Sequence, residues 1–261
     1  GNGSGVALHV RTHRPVPRDR RSGGRDAAGV ARMALVVDPL AGGPAPVGPG
    51  AAPVLEAAAR AGWHALAAPV RADGPLPVAA GGIPADVVVL VLDAVAGSAH
   101  VGRRSPWERI AHVAAAYDAR RIPVLAVDTG AGAGAVAAAA VAGALPVFSA
   151  GRVTEALASL APADGGAAAT WADPATPDGF AALVSLTAAE RRVLDHLTAG
   201  RTAAEVADLL VLSVSTVRTH IRSILRKLDV RSQLSAVAVA TGRGGGRGRP
   251  RTAGAGTDGP A

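Results

Sequence analysis

The sequence predicts an α/β domain built on a doubly wound, parallel five-stranded sheet, followed by an all-α module of four helices. Three observations carry this prediction. Between residues 33 and 160, short apolar runs alternate with Ala-rich helical stretches. Between 186 and 241 lie two repeated capping words and an amphipathic, Arg-bearing helix. The charge also changes sign between the two regions: residues 33–185 hold eight Arg against twelve Asp and Glu (net −4), while 186–241 hold eight basic against five acidic groups (net +3).

With 261 residues, 49% of them hydrophobic, the chain is long enough for one or two domains that each bury a core. Its formal net charge of +7 is mostly a property of the two ends. Residues 1–32 carry seven Arg against two Asp, and 242–261 carry four Arg against one Asp. Both stretches are Gly-, Pro- and Arg-rich without periodicity and are expected to be disordered basic tails. Lys227 is the only Lys among 27 basic residues, a bias of G+C-rich coding that weakens any argument from Arg count alone. Met33, the only methionine, directly precedes the first strand and is the expected natural start.

Candidate strands follow in order: Ala34 to Val37, His64 to Ala68, Val87 to Leu92, Val124 to Val127 and Pro146 to Phe148. The continuous run Val87 to Leu92 suits a central strand covered on both faces. Candidate helices span Ala51 to Ala61, Trp107 to Ala119, Ala133 to Ala142 and Val153 to Leu160, completing a domain over 33–160. Residues 161–185 turn to Pro, Asp, Gly and Thr and are expected to form a linker.

In 186–241, Thr187-Ala-Ala-Glu190 and Thr202-Ala-Ala-Glu205 each place a hydroxyl and a carboxylate where they can satisfy the orphan amides of a helix start. Helices are therefore expected from about 188, burying Val193, Leu194 and Leu197 and ending at Gly200, and from about 203, burying Val206, Leu209 and Leu210. Ser213 caps a third helix, about Val214 to Leu228. At 100° per residue Val214, Val217, Ile221, Ile224, Leu225 and Leu228 form one face; Ser215, Thr219, Arg222 and Arg226 lie opposite, flanked by Arg218 on one side and by Thr216, His220 and Lys227 on the other. A fourth helix starts at Ser232. A short helix, a tight turn and an amphipathic helix with an exposed Arg face is the helix-turn-helix arrangement, whose second helix enters the major groove.

Leu186-Thr-Ala-Ala-Glu-Arg-Arg-Val-Leu194, Gly200-Arg-Thr-Ala-Ala-Glu-Val-Ala207 and Ser213-Val-Ser-Thr-Val-Arg-Thr-His-Ile-Arg-Ser-Ile-Leu-Arg-Lys-Leu228 closely resemble the LuxR-type helix-turn-helix family, in register and without gaps. The resemblance implies a DNA-binding domain that acts as a homodimer on double-stranded DNA. It places Arg218, Thr219 and Arg222 at base edges, Ser213, Thr216, His220 and Lys227 at or beside the DNA backbone, and the pairing of protomers on Ser232 to Ala240. Ala203 and Ala204 replace a commonly polar pair, and Asp229 a common Gly.

The α/β domain, linker and module, in that order, resemble a two-domain response regulator, so the first domain is expected to be receiver-like. Strand order and Gly143-Ala144 before the last strand carry that likeness. A phosphorylatable receiver needs an acidic pair, an acceptor Asp, a Ser or Thr and a Lys around Mg²⁺. Here Asp38-Pro39 leaves one member of the pair, Val91 stands at the acceptor position with Asp93 the only displaced candidate, Asp128 precedes Thr129, and Ala150 replaces the Lys. A degenerate domain that takes no phosphoryl group is expected, left to sense a small-molecule or protein signal or to drive dimerisation. The alternative is a phosphorylation-dependent response regulator.

A non-regulator alternative starts from Gly130-Ala-Gly-Ala-Gly-Ala135, a loop after a strand that could cradle the pyrophosphate of a nucleotide. No other enzyme chemistry is expected. The absence of Cys removes disulfides, thiolate metal sites and a cysteine nucleophile, and His64, His100 and His112 lack i, i+4 partners of metal-site type. Trp63, Trp107 and Trp171 are too scattered for a base-stacking platform. No signal peptide or membrane span is seen, and a cytoplasmic regulator without cofactor or metal is expected.

Overall fold

The structure is a computed structural model that describes residues 32–40, 47–70, 75–80, 83–94, 105–160 and 171–243. The two basic tails, apart from Arg32, Gly242 and Arg243, lie outside the described residues, as do His100 and 161–170 of the expected linker.

In chain order the first domain runs β1 (Met33–Asp38), α1 (Ala51–Arg60), β2 (His64–Pro69), the two-residue strands β3 (Ala79–Ala80) and β4 (Ile83–Pro84), β5 (Val87–Leu92), α2 (Pro106–Asp118), β6 (Val124–Asp128), α3 (Ala133–Val141), β7 (Leu145–Val147) and α4 (Val153–Ser159). The five main strands are parallel, in the order β2-β1-β5-β6-β7. This is the doubly wound order whose switch point lies between β1 and β5, outside the carboxyl ends of the strands. Both β1 and β5 are buried along their whole length. Side chains alternate across the sheet: Ala34, Val36, Val87, Val89 and Val91 pack toward α1 and α4, whereas Leu35, Val37, Val88, Leu90 and Leu92 pack toward α2 and α3.

The last main strand sits one residue earlier than expected. Phe148 leaves the sheet because its amide donates to Asp173 Oδ2 at 2.8 Å. The β3–β4 hairpin has no periodic signal and was not expected from the sequence.

Within the stretch expected to link the domains, residues 171–185 are packed in place. Trp171 Nε1 donates to the Pro146 carbonyl at 3.1 Å. The helix α5 (Phe180–Val184) sets Phe180 edge-on to Phe148, with centroids 4.9 Å apart. The C-terminal module follows as α6 (Ala188–Thr198), α7 (Ala203–Leu210), α8 (Val214–Lys227) and α9 (Gln233–Ala240). Both expected capping boxes are present, on Thr187/Glu190 and Thr202/Glu205, and Gly200 has the positive φ of 78° expected after α6. One assignment is corrected. Leu209 is 47% exposed, because α7 is a short helix whose inner arc holds Val206, Ala207 and the partly buried Leu210.

A single apolar cluster runs without a break from the α2/α3 side of the sheet through Phe180, Leu183 and Leu186 into Val193, Leu194, Leu197, Val217 and Ile224 of the module. At this junction Ser105 caps α2, and the Trp107 amide in its first turn donates to Asp195 Oδ2 of α6 at 3.1 Å. The Arg192 guanidinium meets Glu108 at 2.7 Å beside it. The last turn of α9 abuts the start of α3: the Ala240 carbonyl lies 2.9 Å from where a Cβ on Gly132 would sit and 3.2 Å from one on Gly134. The negative end of one helix thus meets the positive end of the other.

Burial pushes the Asp195 carboxyl up to about 6; hydrogen bonds from Ser105 and Trp107 oppose this and the Glu108 charge adds to it. Because the folded value lies above the ordinary 3.8, the folded chain keeps a proton between about pH 4 and 6 that the unfolded chain has lost. This group's contribution to stability therefore increases as pH falls from 7 to 4. Asp195→Asn, which keeps an acceptor for the Trp107 amide without the charge, is expected to raise stability at pH 7.5 by up to roughly 3 kcal/mol and to flatten that part of the pH profile. Urea unfolding of both proteins at pH 5, 6 and 7.5 measures it; a wild-type profile flat over that range would refute it.

Candidate nucleic-acid interface

The helix α8 is fixed from both ends and from beneath. Val211 closes α7 in the left-handed region at φ 56°, a strained conformation for a β-branched residue, and its side chain is 89% exposed. Ser213 then starts α8, its Oγ accepting from the Thr216 amide at 3.1 Å. Val217, Ile224 and Leu228 are buried against α6, α7 and α9, and Ile221 and Leu225 are packed partly against them. Val214 departs from the expected inner face: in the first turn it reaches beyond its packing partners and is 36% exposed. Asp229 ends the helix region at φ 51°, a conformation a short Asp side chain tolerates where Gly is common.

Arg218, Thr219, Arg222 and Arg226 are all exposed along one side of α8, with Ser213 and Thr216 at its start. Among the described residues no carboxylate pairs with Arg218, Arg222 or Arg226. Arg226 reaches only Ser223 Oγ, at 3.4 Å. The Thr219 hydroxyl donates back to the Ser215 carbonyl at 3.0 Å, and the hydroxyls of Ser213, Ser215 and Thr216 gather within 2.8 Å of Ser213 Oγ. His220 is half-buried on the flank.

Lys227, grouped with the DNA-contacting positions by resemblance, is held elsewhere. Its ammonium donates to Glu190 Oε2 at 2.7 Å, and Ser223 Oγ donates to the other oxygen at 2.8 Å. Glu190 is the buried carboxylate that also caps α6. Burial alone would raise its pKa; the hydrogen bonds from Lys227, Thr187 and Ser223 outweigh that and hold it at about 2. This carboxylate ties the last turns of α8 to the start of α6. Nothing in the periodicity of either helix announces it, because the pairing runs between elements.

The second sequence-derived site lies at the switch point of the sheet. Asp38, Asp93 and Thr129 stand at or just after the ends of β1, β5 and β6. Asp93 Oδ1 accepts from the Thr129 hydroxyl at 2.5 Å, and Oδ2 from the Gly50 amide at 2.9 Å. Asp38 accepts from the Leu40 amide at 2.8 Å and the Gly48 amide at 3.1 Å. The turn ending in Gly50 lies directly on these carboxylates: a Cβ on Gly48 or Gly50 would collide with Asp93. Val91, at the ordinary acceptor position, is buried in β5, and Ala150 follows β7 where a Lys is needed.

The loop on which the nucleotide-binding alternative rests is engaged by the chain itself. The Gly130 and Gly132 amides both donate to Asp128 Oδ1 at 3.0 Å, so these two donors are already engaged. The close approaches that require glycine at 132 and 134 are those of Ala240, Thr241 and Trp107. Among the described residues no cluster of His, Asp and Glu could hold a metal ion, and no helix is long and apolar enough to cross a membrane.

Fold and site together define the C-terminal module as a helix-turn-helix DNA-binding domain. Residues 184–240 match the family of bacterial regulatory proteins, luxR family (GerE), so this module is a LuxR-type domain. No curated relative matches the chain. Among solved structures the chain is similar to the response regulator RcsB of Salmonella typhimurium, with TM-score 0.44 and 13% identity over 82% of this chain and 98% of that one. It is also similar to ChrA, a response regulator of a heme-sensing two-component system, with TM-score 0.34 and 20% identity over 80% and 96% of the two chains. Full-length FixJ from B. japonicum gives 0.28 and 15% over 81% and 98%.

Proposed function

We propose that the chain is a transcriptional regulator that binds duplex DNA sequence-specifically through α8, works as a homodimer in the cytoplasm, carries out no catalysis, and is controlled through an α/β domain that takes no phosphoryl group. The observation that carries this reading is the exposed Arg218/Arg222 face of a helix otherwise packed on three neighbours in a LuxR-type module. Arg reads guanine O6 and N7 bidentately, and Ser213, Thr216 and Arg226 are taken to hold phosphates. Leu234, 79% exposed on the helix that the LuxR resemblance assigns to protomer pairing, supports the dimer. The refusal of phosphoryl transfer rests on an Asp93 whose two oxygens are engaged by Thr129 and Gly50, and on the missing Lys.

With the full chain on a selected duplex, Arg222→Ala is expected to cost roughly 1 to 3 kcal/mol of affinity and much less on random DNA. Equal losses on both would make Arg222 a phosphate contact. Beryllofluoride with Mg²⁺ is expected to leave both oligomeric state and DNA affinity unchanged. A response that Asp93→Asn abolishes would instead establish a phosphorylation-dependent regulator.

A further inference from the structure

The chemistry left available on α8 is narrower than that of a general DNA reader. Adenine is read by the paired donor and acceptor of an Asn or Gln amide, cytosine by an Asp or Glu carboxylate, guanine by Arg or Lys, and thymine through its 5-methyl by an apolar group. Val214–Lys227 contains no Asn, Gln, Asp or Glu. The whole chain has two carboxamide side chains, Asn2 and Gln233, and neither is on this helix. Ser213, Ser215 and Thr216 share their hydroxyls with one another, and Thr219 has turned its hydroxyl to the Ser215 carbonyl. With its proton given to that carbonyl, Thr219 has left its γ-methyl and the acceptor side of its hydroxyl, and no second, paired donor with which to read adenine as an amide does. At the N-terminal turn, the part of a recognition helix that meets base edges, Ser213, Val214, Ser215 and Thr216 are all exposed, and Val214 is the apolar one among them.

Resting on the reading of α8 as the recognition helix, we infer that the half-site is read as guanine and thymine only. Arg218 and Arg222 take guanines, and Val214 with the Thr219 methyl takes thymine 5-methyl groups. Val214, Arg218 and Arg222 are four residues apart, so each step along the helix is about 6 Å, or roughly two base-pair steps. The expected half-site therefore has guanines about two steps apart with thymine on the side that meets the start of α8. Adenine and cytosine enter it only as the partners of the bases that are read.

The test starts by enriching a random duplex library on the full-length chain, then places modified bases in the enriched duplex. Replacing a contacted guanine by 7-deazaguanine, which lacks the N7 acceptor, is expected to weaken binding about fivefold or more. Replacing a contacted thymine by uracil, which lacks the methyl, is expected to weaken it about threefold to fourfold. Val214→Ala should abolish the uracil effect at one position and leave the 7-deazaguanine effects intact. Arg222→Ala should do the reverse at one guanine, and both variants carry exposed substitutions that circular dichroism can check for folding. An enriched half-site insensitive to uracil, or one weakened by 7-deazaadenine instead, overturns the guanine and thymine assignment while leaving DNA binding in place. A library that yields no enriched duplex overturns the proposed function itself.

Discussion

Glu190→Ala is expected to destabilise the folded chain by roughly 3 to 5 kcal/mol, the range for deleting one partner of a buried ion pair. Three groups lose their acceptor at once: the Thr187 amide at the start of α6, the Ser223 hydroxyl and the half-buried Lys227 ammonium of α8. The charge left behind is the larger part of the effect, so Glu190→Gln, whose one amide oxygen can still accept from Thr187 while its NH₂ faces the Ser223 hydroxyl, should be milder. The pH dependence has a definite sign. With the folded carboxyl held at about 2, below its ordinary 4.5, the stabilisation is fully present above pH 4.5 and is lost as pH falls toward 2. Urea unfolding at pH 7 and pH 3 should therefore show wild type and Glu190→Gln converging in acid. DNA affinity should fall with stability at neutral pH, because this carboxylate anchors the helix that carries Arg218 and Arg222. Equal unfolding midpoints at pH 7 would mean that the contact contributes nothing.

What was legible in the sequence and what was not divides along a physical line. The strands β1, β5 and β6 are near-continuous apolar runs, and a run of that kind has few alternatives to a doubly covered strand. The Thr187 and Thr202 capping boxes are four-residue patterns whose partners lie within the pattern, so both helix starts were legible to within a residue. Partner choice between elements leaves no such local trace. Lys227 has the same spacing whether it points to a phosphate or to Glu190, and only the packing of α6 under α8 decides. Leu209 and Val214 are apolar residues at helical spacing, yet one lies outside the inner arc of a short helix and the other in a first turn that is only partly covered. The glycine run at 130–134 is the sharpest case. Glycine marks a close approach without saying of what, and a phosphate and the end of α9 make the same demand on the sequence. Asp173, set in a Pro- and Thr-rich stretch, gave no sign that it accepts from Phe148 and ends the sheet.

Gly134→Ala should destabilise the chain, although helix propensity alone argues for the opposite sign. Inside a helix, alanine is favoured over glycine by about 1 kcal/mol, and the backbone of Gly134 does not need a positive φ. The added methyl has no room, however, because it would fall on the six-membered ring of Trp107, with the Ala240 carbonyl 3.2 Å away. Trp107 cannot simply tilt aside: it is buried, its amide is held by Asp195, and its residue sits in the first turn of a capped helix. Overpacking of this kind costs about 1 to 3 kcal/mol, more than the propensity gain. The expected result is a lower urea midpoint, a red-shifted tryptophan emission as Trp107 becomes wet, and faster proteolysis within 171–185 as the two domains separate. In a Trp107→Leu background the same substitution should become neutral or stabilising, because the ring that opposes it is gone; a double-mutant cycle would report that coupling. The Arg218/Arg222 side of α8 is exposed while the domains are docked, so affinity for an enriched duplex should change by less than about threefold, well under the 1.4 kcal/mol that a tenfold change requires. A rise of tenfold or more on undocking would show that the seat of α9 against α3 restrains DNA binding, even though it leaves Arg218 and Arg222 exposed.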